Sequence, residues 1–83
     1  EKAAANVAKH GVTFHEASEV FFDPLSTTFD DPDHSAEELR YITRGISARG
    51  RLLVEAHTAR ENRIRIISAR EMTRSERACY EES

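Results

Sequence analysis

The sequence predicts an α+β domain in which helices lie on one side of a small antiparallel sheet. A chain of 83 residues has enough apolar material for one hydrophobic core, so we expect residues 1–83 to form a single domain. Apolar residues recur at helical spacing near both ends of the chain. Between them, β-branched and apolar segments are separated by turn residues, a pattern typical of antiparallel strands.

Two short helices are predicted near the N-terminus. Residues 2–10 are rich in alanine, and Gly11 supplies the left-handed stop that commonly ends a helix. Thr13 and Glu16 have the spacing of a capping box, in which each side chain bonds the backbone amide of the other. A second helix is therefore expected from there to about Phe22. Its core-facing residues are predicted to be Phe14, Ala17, Val20 and Phe21.

Four segments have the composition of strands, namely residues 25–29, 41–43, 51–58 and 62–69. An acidic turn at 30–33 and a helical turn at 35–38 are expected between the first two strands. Residues 48–50 are predicted to turn the chain before the third strand. Because only residues 59–61 separate the last two strands, we expect these strands to pair as a hairpin.

The last predicted strand has two different faces, because side chains alternate along a strand. One face carries Ile64, Ile66 and Ser68, and the other carries Arg63, Arg65 and Ile67. We expect the first face to contact the core and the second to present guanidinium groups. Thr73 and Glu76 then repeat the capping-box spacing and predict a C-terminal helix that extends through Tyr80.

Charge is divided along the chain, although the net charge is only −3. Residues 1–38 contain two lysines and nine acids, whereas residues 39–83 contain ten arginines, no lysine and six acids. Arginine favours bidentate contacts with phosphate or carboxylate, so one interpretation is an anionic partner for the second half. The other interpretation is a solvated surface whose arginines pair with acids of the same chain. The charge pattern alone does not decide between them.

Composition predicts a cytoplasmic protein. Cys79 is the only cysteine, so an internal disulfide is impossible, which suits a reducing compartment. The longest uncharged apolar stretch, at residues 20–22, is far shorter than a membrane span. The N-terminus also lacks the pattern of a secretory signal. We therefore expect no membrane partner.

Three motifs, found in this order along nearly the whole chain, resemble the BrnT family of bacterial toxins. The first is N-x-x-K-H-G-V-x-F at residues 6–14, followed by Phe-Asp-Pro at 22–24. The second is R-I-I-S-A-R, within the block at 63–70. The third is T-x-x-E-R-x-x-Y at 73–80.

This resemblance implies a fold similar to RelE-type ribonuclease toxins and a role in a type II toxin-antitoxin system. The partner it implies is a BrnA-like antitoxin with a ribbon-helix-helix element, which neutralises the toxin in a heterotetramer and through which alone the complex binds DNA. Members usually open with a short strand before the first helix, and we expect that strand to be missing from this sequence. The family pattern departs again at Glu55 and His57, where the corresponding strand is usually more apolar.

The resemblance also implies RNA cleavage that inhibits translation and growth. Such cleavage uses the ribose 2′-hydroxyl as nucleophile, so it requires a base, an acid and cations but no metal or cofactor. The predicted catalytic residues are Lys9, His10, Arg65, Arg70, Arg77 and Tyr80. The predicted substrate-binding residues are His57, Arg63 and Arg74. His10 is the first choice for proton transfer, because an imidazole titrates near neutral pH.

Each of these residues also has a structural interpretation. Lys9 and His10 would cap the end of their helix, Tyr80 would anchor the last helix, and the arginines would pair with nearby acids. At the level of the whole protein, one alternative is a non-catalytic module that binds protein or RNA through its arginine-rich face. Another is a structural subunit of a larger assembly. The acidic residues at 30–34 lack the spacing and turn glycine of a calcium loop, so a metal site is not expected there.

Overall fold

A computed structural model describes residues 2–34 and 38–82, and this part of the chain contains three α-helices and a four-stranded antiparallel sheet. The helices are α1 (Lys2–His10), α2 (Phe14–Ser18) and α3 (Arg74–Glu81). The strands are β1 (Thr27–Asp30), β2 (Arg40–Ile46), β3 (Leu52–Arg60) and β4 (Arg63–Glu71). Short 3₁₀ helices cover Glu19–Phe22 and Pro32–His34. The predicted α+β class is confirmed, whereas the helical turn predicted at 35–38 falls mainly on residues outside the described part.

The strands form a meander in the order β1-β2-β3-β4, so β1 and β4 are the edges of the described sheet. The first strand begins two residues later than the sequence predicts. Its start is delayed by a turn at Asp23, whose carboxylate accepts a hydrogen bond from the Leu25 amide at 2.9 Å and whose carbonyl accepts one from the Ser26 amide at 3.0 Å. The backbone of Leu25 and Ser26 is therefore engaged locally before β1 pairs with β2.

A two-residue turn joins β3 to β4. Glu61 and Asn62 have φ values of 50° and 65°, so both central residues are left-handed, as in a type I′ hairpin. The twist of such a turn matches the twist of the strands, so pairing continues up to Arg60 and Arg63. The hairpin was predicted, but the loop assigned to residues 59–61 is wrong, because Ala59 and Arg60 belong to β3.

A β-bulge in β4 changes which side chains share a face. Ile67 is an extra residue in β4, placed where the register shifts between Ala56 and His57 of β3. Beyond the bulge the alternation is reversed. Ser68 consequently pairs with Ala56 and lies on the face that carries Arg65, so the prediction that grouped Ser68 with the core-facing isoleucines is wrong.

The segment from α1 to Phe22 covers one face of the sheet. The α1–α2 segment packs on β4 and β3, and the 3₁₀ helix Glu19–Phe22 packs on β2. Gly45 permits this close approach, because a Cβ atom at that position would lie 2.8 Å from Cγ1 of Val20. The buried apolar core between helices and sheet consists of Val12, Ala17, Val20, Leu53 and Ala69. Two of the predicted core-facing residues, Ala17 and Val20, are fully buried.

Helix α1 ends at Gly11, and α2 begins with Thr13 as its cap. The Thr13 hydroxyl accepts a hydrogen bond from the Glu16 amide at 3.0 Å, as predicted. The predicted return bond, which the Thr13 amide would donate to the Glu16 carboxylate, is not formed. Instead, that carboxylate is buried and accepts hydrogen bonds from Arg51 at 2.6 and 3.0 Å and from Ser47 at 2.8 Å. A charge-assisted bidentate pair satisfies a buried carboxylate better than a single neutral amide does.

Helix α3 lies along the end of the sheet where β2 and β4 finish. Thr73 and Glu76 form the predicted capping box at its start. Toward its other end, the Tyr80 hydroxyl donates a 2.6 Å hydrogen bond to Oδ2 of Asp23, which also accepts one from the Ile46 amide at 2.9 Å. No residue of α3 is buried, so polar contacts rather than an apolar face position this helix. Within the described residues, no helix is long and apolar enough to cross a membrane.

Candidate functional site

The face of the sheet opposite α1 and α2 carries a concentration of arginines. Their positions follow from the strand register, since paired residues share a face and alternate residues of one strand do as well. We refer to this surface as the arginine face, and its arginines are Arg40, Arg44, Arg60, Arg63, Arg65 and Arg70. Beneath them lie the buried side chains of Val54 and Thr58. The aliphatic stems of arginines can cover apolar surface while their charged ends stay in water.

An open pocket of about 310 Å³ lies on the arginine face at the hairpin end of the sheet. Its lining consists of Glu38, Thr58, Arg60, Glu61, Arg63 and Arg65. Within the described part of the chain, neither Arg63 nor Arg65 forms an ion pair. Both side chains are exposed, so their guanidinium groups are available to an anion. We refer to this site as the arginine pocket.

Arg70 differs from these arginines, because its guanidinium is already paired. Its two terminal nitrogens donate to the two carboxylate oxygens of Glu76 at 2.7 and 2.9 Å, a fork-to-fork arrangement. The same carboxylate accepts a 2.8 Å hydrogen bond from the Thr73 amide. Arg70, followed by the Thr73 amide, holds the pKa of Glu76 at about 2, against a burial effect that raises it. An anionic ligand at Arg70 would therefore have to compete with Glu76.

Tyr80 is also engaged within the chain. Burial, together with the hydrogen bond to the ionised Asp23 carboxylate, raises the pKa of Tyr80 to about 12. Burial alone would raise the pKa of Asp23, but hydrogen bonds from Tyr80 and from two backbone amides lower it. The proton therefore stays on the phenol at neutral pH, where it is directed at Asp23.

Lys9 and His10 lie at the last turn of α1, beside the edge strand β4. Both line an open pocket of about 240 Å³, which we call the α1 pocket and whose other wall includes Ile67 and Ser68 of the bulge. Ser68 lies on the same face as Arg65 and three residues further along β4, a separation of about 10 Å at the usual rise per strand residue. The α1 pocket and the arginine pocket are therefore neighbours along the β4 edge.

Asn6 sets the position of α1 relative to that edge. Its side-chain nitrogen donates to the carbonyl oxygens of Val12 and Ala69 at 2.8 and 2.9 Å, and its side-chain oxygen accepts from the Ala69 amide at 3.0 Å. The Asn6 side chain is buried, so these bonds are shielded from water. They fix Lys9 and His10, which follow on the same helix, beside the bulge.

The remaining arginine candidates lie on α3. Arg74 and Arg77 are exposed and line a shallow depression together with Ala78 and Glu81. Arg77 also lines a separate pocket of about 180 Å³ with Arg51 and other residues at the start of β3. These positions lie at the opposite end of the sheet from the arginine pocket.

His57 lies on the helix-covered face of the sheet and is buried. Its ring contacts Phe21 edge-on, with centroids 5.1 Å apart, and lies 5.7 Å from the ring of Tyr41. Glu55, two residues earlier on the same face, is also buried. Burial lowers the pKa of His57 and raises that of Glu55 to about 8. Within the described residues, Nδ1 of His57 and both carboxylate oxygens of Glu55 have no hydrogen-bond partner.

The structure thus brings some predicted site residues together and separates others. It places Arg63 and Arg65 in one pocket, with Lys9 and His10 in the neighbouring one. It does not bring His57 or Arg74 to the same surface. Sequence reasoning missed Arg60, which was assigned to a loop. Strand alternation from Thr58 and pairing with Arg63 across the turn are the signals that identify it.

Among residues 2–34 and 38–82, no group of three or more His, Cys, Asp and Glu side chains is arranged to hold a metal ion.

Comparison with known proteins identifies the family. No curated protein matches the chain. A family model described as "Ribonuclease toxin, BrnT, of type II toxin-antitoxin system" matches residues 1–76. The match covers all the strands and the first two helices of the described structure. The chain therefore belongs to the BrnT family of ribonuclease toxins, whose members act in type II toxin-antitoxin systems and have an antitoxin as their partner.

Proposed function

We propose that this chain is a metal-independent endoribonuclease that inhibits translation and growth until its antitoxin neutralises it. The observation that carries the proposal is the arginine pocket, where Arg60, Arg63 and Arg65 present guanidinium groups on an open sheet face. Guanidinium groups bind phosphate in a bidentate manner, and a row of them suits an RNA backbone. Membership of a ribonuclease toxin family makes RNA the expected anion.

The proposed reaction is an attack of the ribose 2′-hydroxyl on the adjacent phosphorus. The P–O5′ bond breaks, and the products carry a 2′,3′-cyclic phosphate and a 5′-hydroxyl. Negative charge accumulates on the phosphoryl oxygens in the transition state, and cations placed there stabilise it more than they stabilise the bound substrate. We assign this role to Arg65 and substrate binding to Arg63, because both are unpaired within the described structure.

Proton transfer is assigned to His10, with Lys9 beside it. The α1 pocket borders the same strand edge as the arginine pocket, so a single RNA strand can contact both. Arg70, Arg77 and Tyr80 remain predicted catalytic residues, and Arg74 and His57 remain predicted substrate-binding residues. Arg70 and Tyr80 would first have to exchange Glu76 and Asp23 for substrate groups.

Three further features are also proposed for this chain. They are a fold similar to that of RelE-type toxins, a cytoplasmic location, and a BrnA-like ribbon-helix-helix antitoxin that forms a heterotetramer with the toxin. In this proposal the toxin contacts RNA, and DNA is bound only through the antitoxin. The net positive charge of residues 39–83 supports a polyanionic substrate for the toxin itself.

The purified chain tests this proposal when it is incubated with a fluorescent RNA in EDTA, both with and without ribosomes. We expect cleavage that yields 2′,3′-cyclic phosphate ends and that disappears when the ribose at the cleavage site is 2′-deoxy. The double variant Arg63→Ala, Arg65→Ala should cleave at least about 100-fold more slowly, since it removes the transition-state contact assigned to Arg65 and the substrate contact assigned to Arg63. Arg49→Ala, in the exposed turn before β3, is the matched control. RNA binding without cleavage would favour the non-catalytic alternative.

A further inference from the structure

Exposed apolar side chains lie at and beside the first edge of the sheet, outside the lining of both candidate RNA pockets. Phe22 is 86% exposed, Leu25 69%, Phe29 43% and Ile46 38%. Leu25 and Ile46 are neighbours, because their backbone amides bind the two oxygens of the same Asp23 carboxylate. Phe29, in the edge strand β1, lies on the arginine face by its register and stacks under Arg44, whose Cζ is 5.0 Å from the ring centre. We call these four apolar residues the β1 patch.

Strand β1 itself is open to pairing. It is the first strand in the order of the described sheet, and all four of its residues are exposed. Its outer backbone groups have no neighbouring strand within the described part of the chain. An exposed edge with apolar side chains is a common place for another chain to add a strand.

The charge around the β1 patch differs from that of the arginine pocket. Carboxylates flank β1 on both sides, at Asp23 before it and at Asp30 and Asp33 after it, and they outnumber the one arginine of the patch margin, Arg44, which lies over the Phe29 ring. Hydrogen bonds lower the pKa of Asp23, so this carboxylate is ionised at neutral pH. An acidic margin disfavours a nucleic acid and favours a segment with lysine or arginine. The patch therefore suits a protein segment that is apolar and basic.

A second copy of the chain fits this edge poorly. Pairing two β1 strands about a two-fold axis would place the Asp23 end of one copy beside the Asp30 and Asp33 end of the other, acid against acid. Docking the arginine face of another copy on the edge would satisfy charge, but such a head-to-tail contact is not self-complementary and produces rings or open polymers, not a two-fold dimer. Neither arrangement yields a stable closed dimer.

We propose that the β1 patch is the docking site of the antitoxin, which adds an extended, apolar and basic segment alongside β1. The family of this chain has an antitoxin as its partner, and the β1 patch is an exposed surface outside the lining of both candidate RNA pockets. The docking site lies on the opposite edge of the sheet from the β4 residues that border both candidate RNA pockets. This inference rests on family membership and not on the proposed cleavage chemistry.

The test uses the full chain and the purified protein encoded by its neighbouring antitoxin gene. The double variant Phe22→Ser, Leu25→Ser should bind that protein at least about tenfold more weakly, since loss of well-buried apolar contacts at an interface has effects of this size. Val7→Ser and Ile64→Ser remove apolar side chains that are 44% and 54% exposed elsewhere, and they should change affinity less than about twofold. On complex formation, backbone amides of Thr27–Asp30 should exchange hydrogen at least about tenfold more slowly.

Variants that remove negative charge beside β1 test the docking site independently. The double variant Asp30→Asn, Asp33→Asn should weaken antitoxin binding about threefold at low salt and reduce its dependence on salt. Tighter binding by this variant would overturn the assignment of a basic segment. Unchanged affinity of the Phe22, Leu25 variant, with unchanged exchange in β1, would overturn the docking site. A wild-type dimer that this variant converts to a monomer would assign the patch to self-association instead.

The docking site and the proposed RNA cleavage can be refuted independently of each other. The Phe22, Leu25 variant alters neither candidate RNA pocket, so it should cleave RNA at the wild-type rate. A chain that binds antitoxin through the β1 patch but cleaves no RNA would refute the cleavage proposal alone. A chain that cleaves RNA but binds antitoxin equally well with and without the patch would refute the docking site alone.

Discussion

The Asn6 side chain takes the place of a neighbouring strand at Ala69. It accepts a hydrogen bond from the Ala69 amide at 3.0 Å and donates one to the Ala69 carbonyl at 2.9 Å, as an adjacent strand would do. One side chain thereby closes part of the β4 edge and fixes the helix that carries Lys9 and His10. A third bond, to the Val12 carbonyl, ties the turn after α1 to the same point.

Replacing Asn6 with alanine should lower the free energy of unfolding by about 3 kcal/mol, because it leaves buried backbone groups of Ala69 and Val12 without partners. Chemical denaturation monitored by circular dichroism measures this change. Ala8→Ser, at an exposed position on the same helix, should change stability by less than about 0.5 kcal/mol. Equal stability of the Asn6 variant and the wild type would show that water or a shifted helix replaces these bonds.

Removal of Arg51 should destabilise the fold by about 3–5 kcal/mol, because the Glu16 side chain is only 3% exposed and would be left as an uncompensated buried charge. The variant Arg51→Ala tests this in the same denaturation assay. Arg49→Ala removes a nearby exposed arginine that is not hydrogen-bonded to Glu16, and we expect a small effect. The double variant Arg51→Ala, Glu16→Gln should recover part of the loss. A drop no larger than that of Arg49→Ala would contradict the interpretation of the pair.

Glu55 should make the protein less stable as the pH rises. Burial raises its pKa to about 8, whereas in the unfolded chain a glutamate titrates near its ordinary value of 4.5. Between these two values the folded state binds more protons than the unfolded state, so the free energy of unfolding falls with increasing pH, by up to about 1.4 kcal/mol per pH unit. Below pH 4.5 both states are protonated and this contribution vanishes.

The variant Glu55→Gln isolates that effect. It should match the wild type at pH 4 and be more stable at pH 8.5, because glutamine has no charge to bury. Denaturant titrations at several pH values provide the comparison. Parallel stability curves for the two proteins across this range would mean that the buried carboxylate is compensated at every pH.

Local signals in the sequence predicted much of the fold. Gly11 ends α1 with a φ of 69°, and Thr73 with Glu76 forms the predicted capping box of α3. These features depend on residues within one turn of each other, so sequence spacing is sufficient to identify them. The hairpin between β3 and β4 was predicted for the same reason.

The errors come from contacts between distant parts of the chain. Glu16 does not complete its capping box, because its carboxylate binds Arg51, which lies 35 residues later in the sequence. Ser68 changes face because of a bulge that strict alternation does not anticipate. At the candidate site, sequence predicted Arg63 and Arg65, but only the strand register adds Arg60 to them and places His57 on the other side of the sheet.

Growth of a bacterial host after induction of this chain, with total RNA followed over time, tests whether the chain acts as a ribonuclease toxin through its arginine pocket. We expect growth arrest with RNA fragmentation, reversal of both by co-expression of the neighbouring antitoxin gene, and loss of both in the soluble double variant Arg63→Ala, Arg65→Ala. Arrest that persists in that variant would contradict the assigned role of the arginine pocket. Normal growth with intact RNA, from wild-type protein shown to be folded and soluble, would contradict the ribonuclease toxin activity itself.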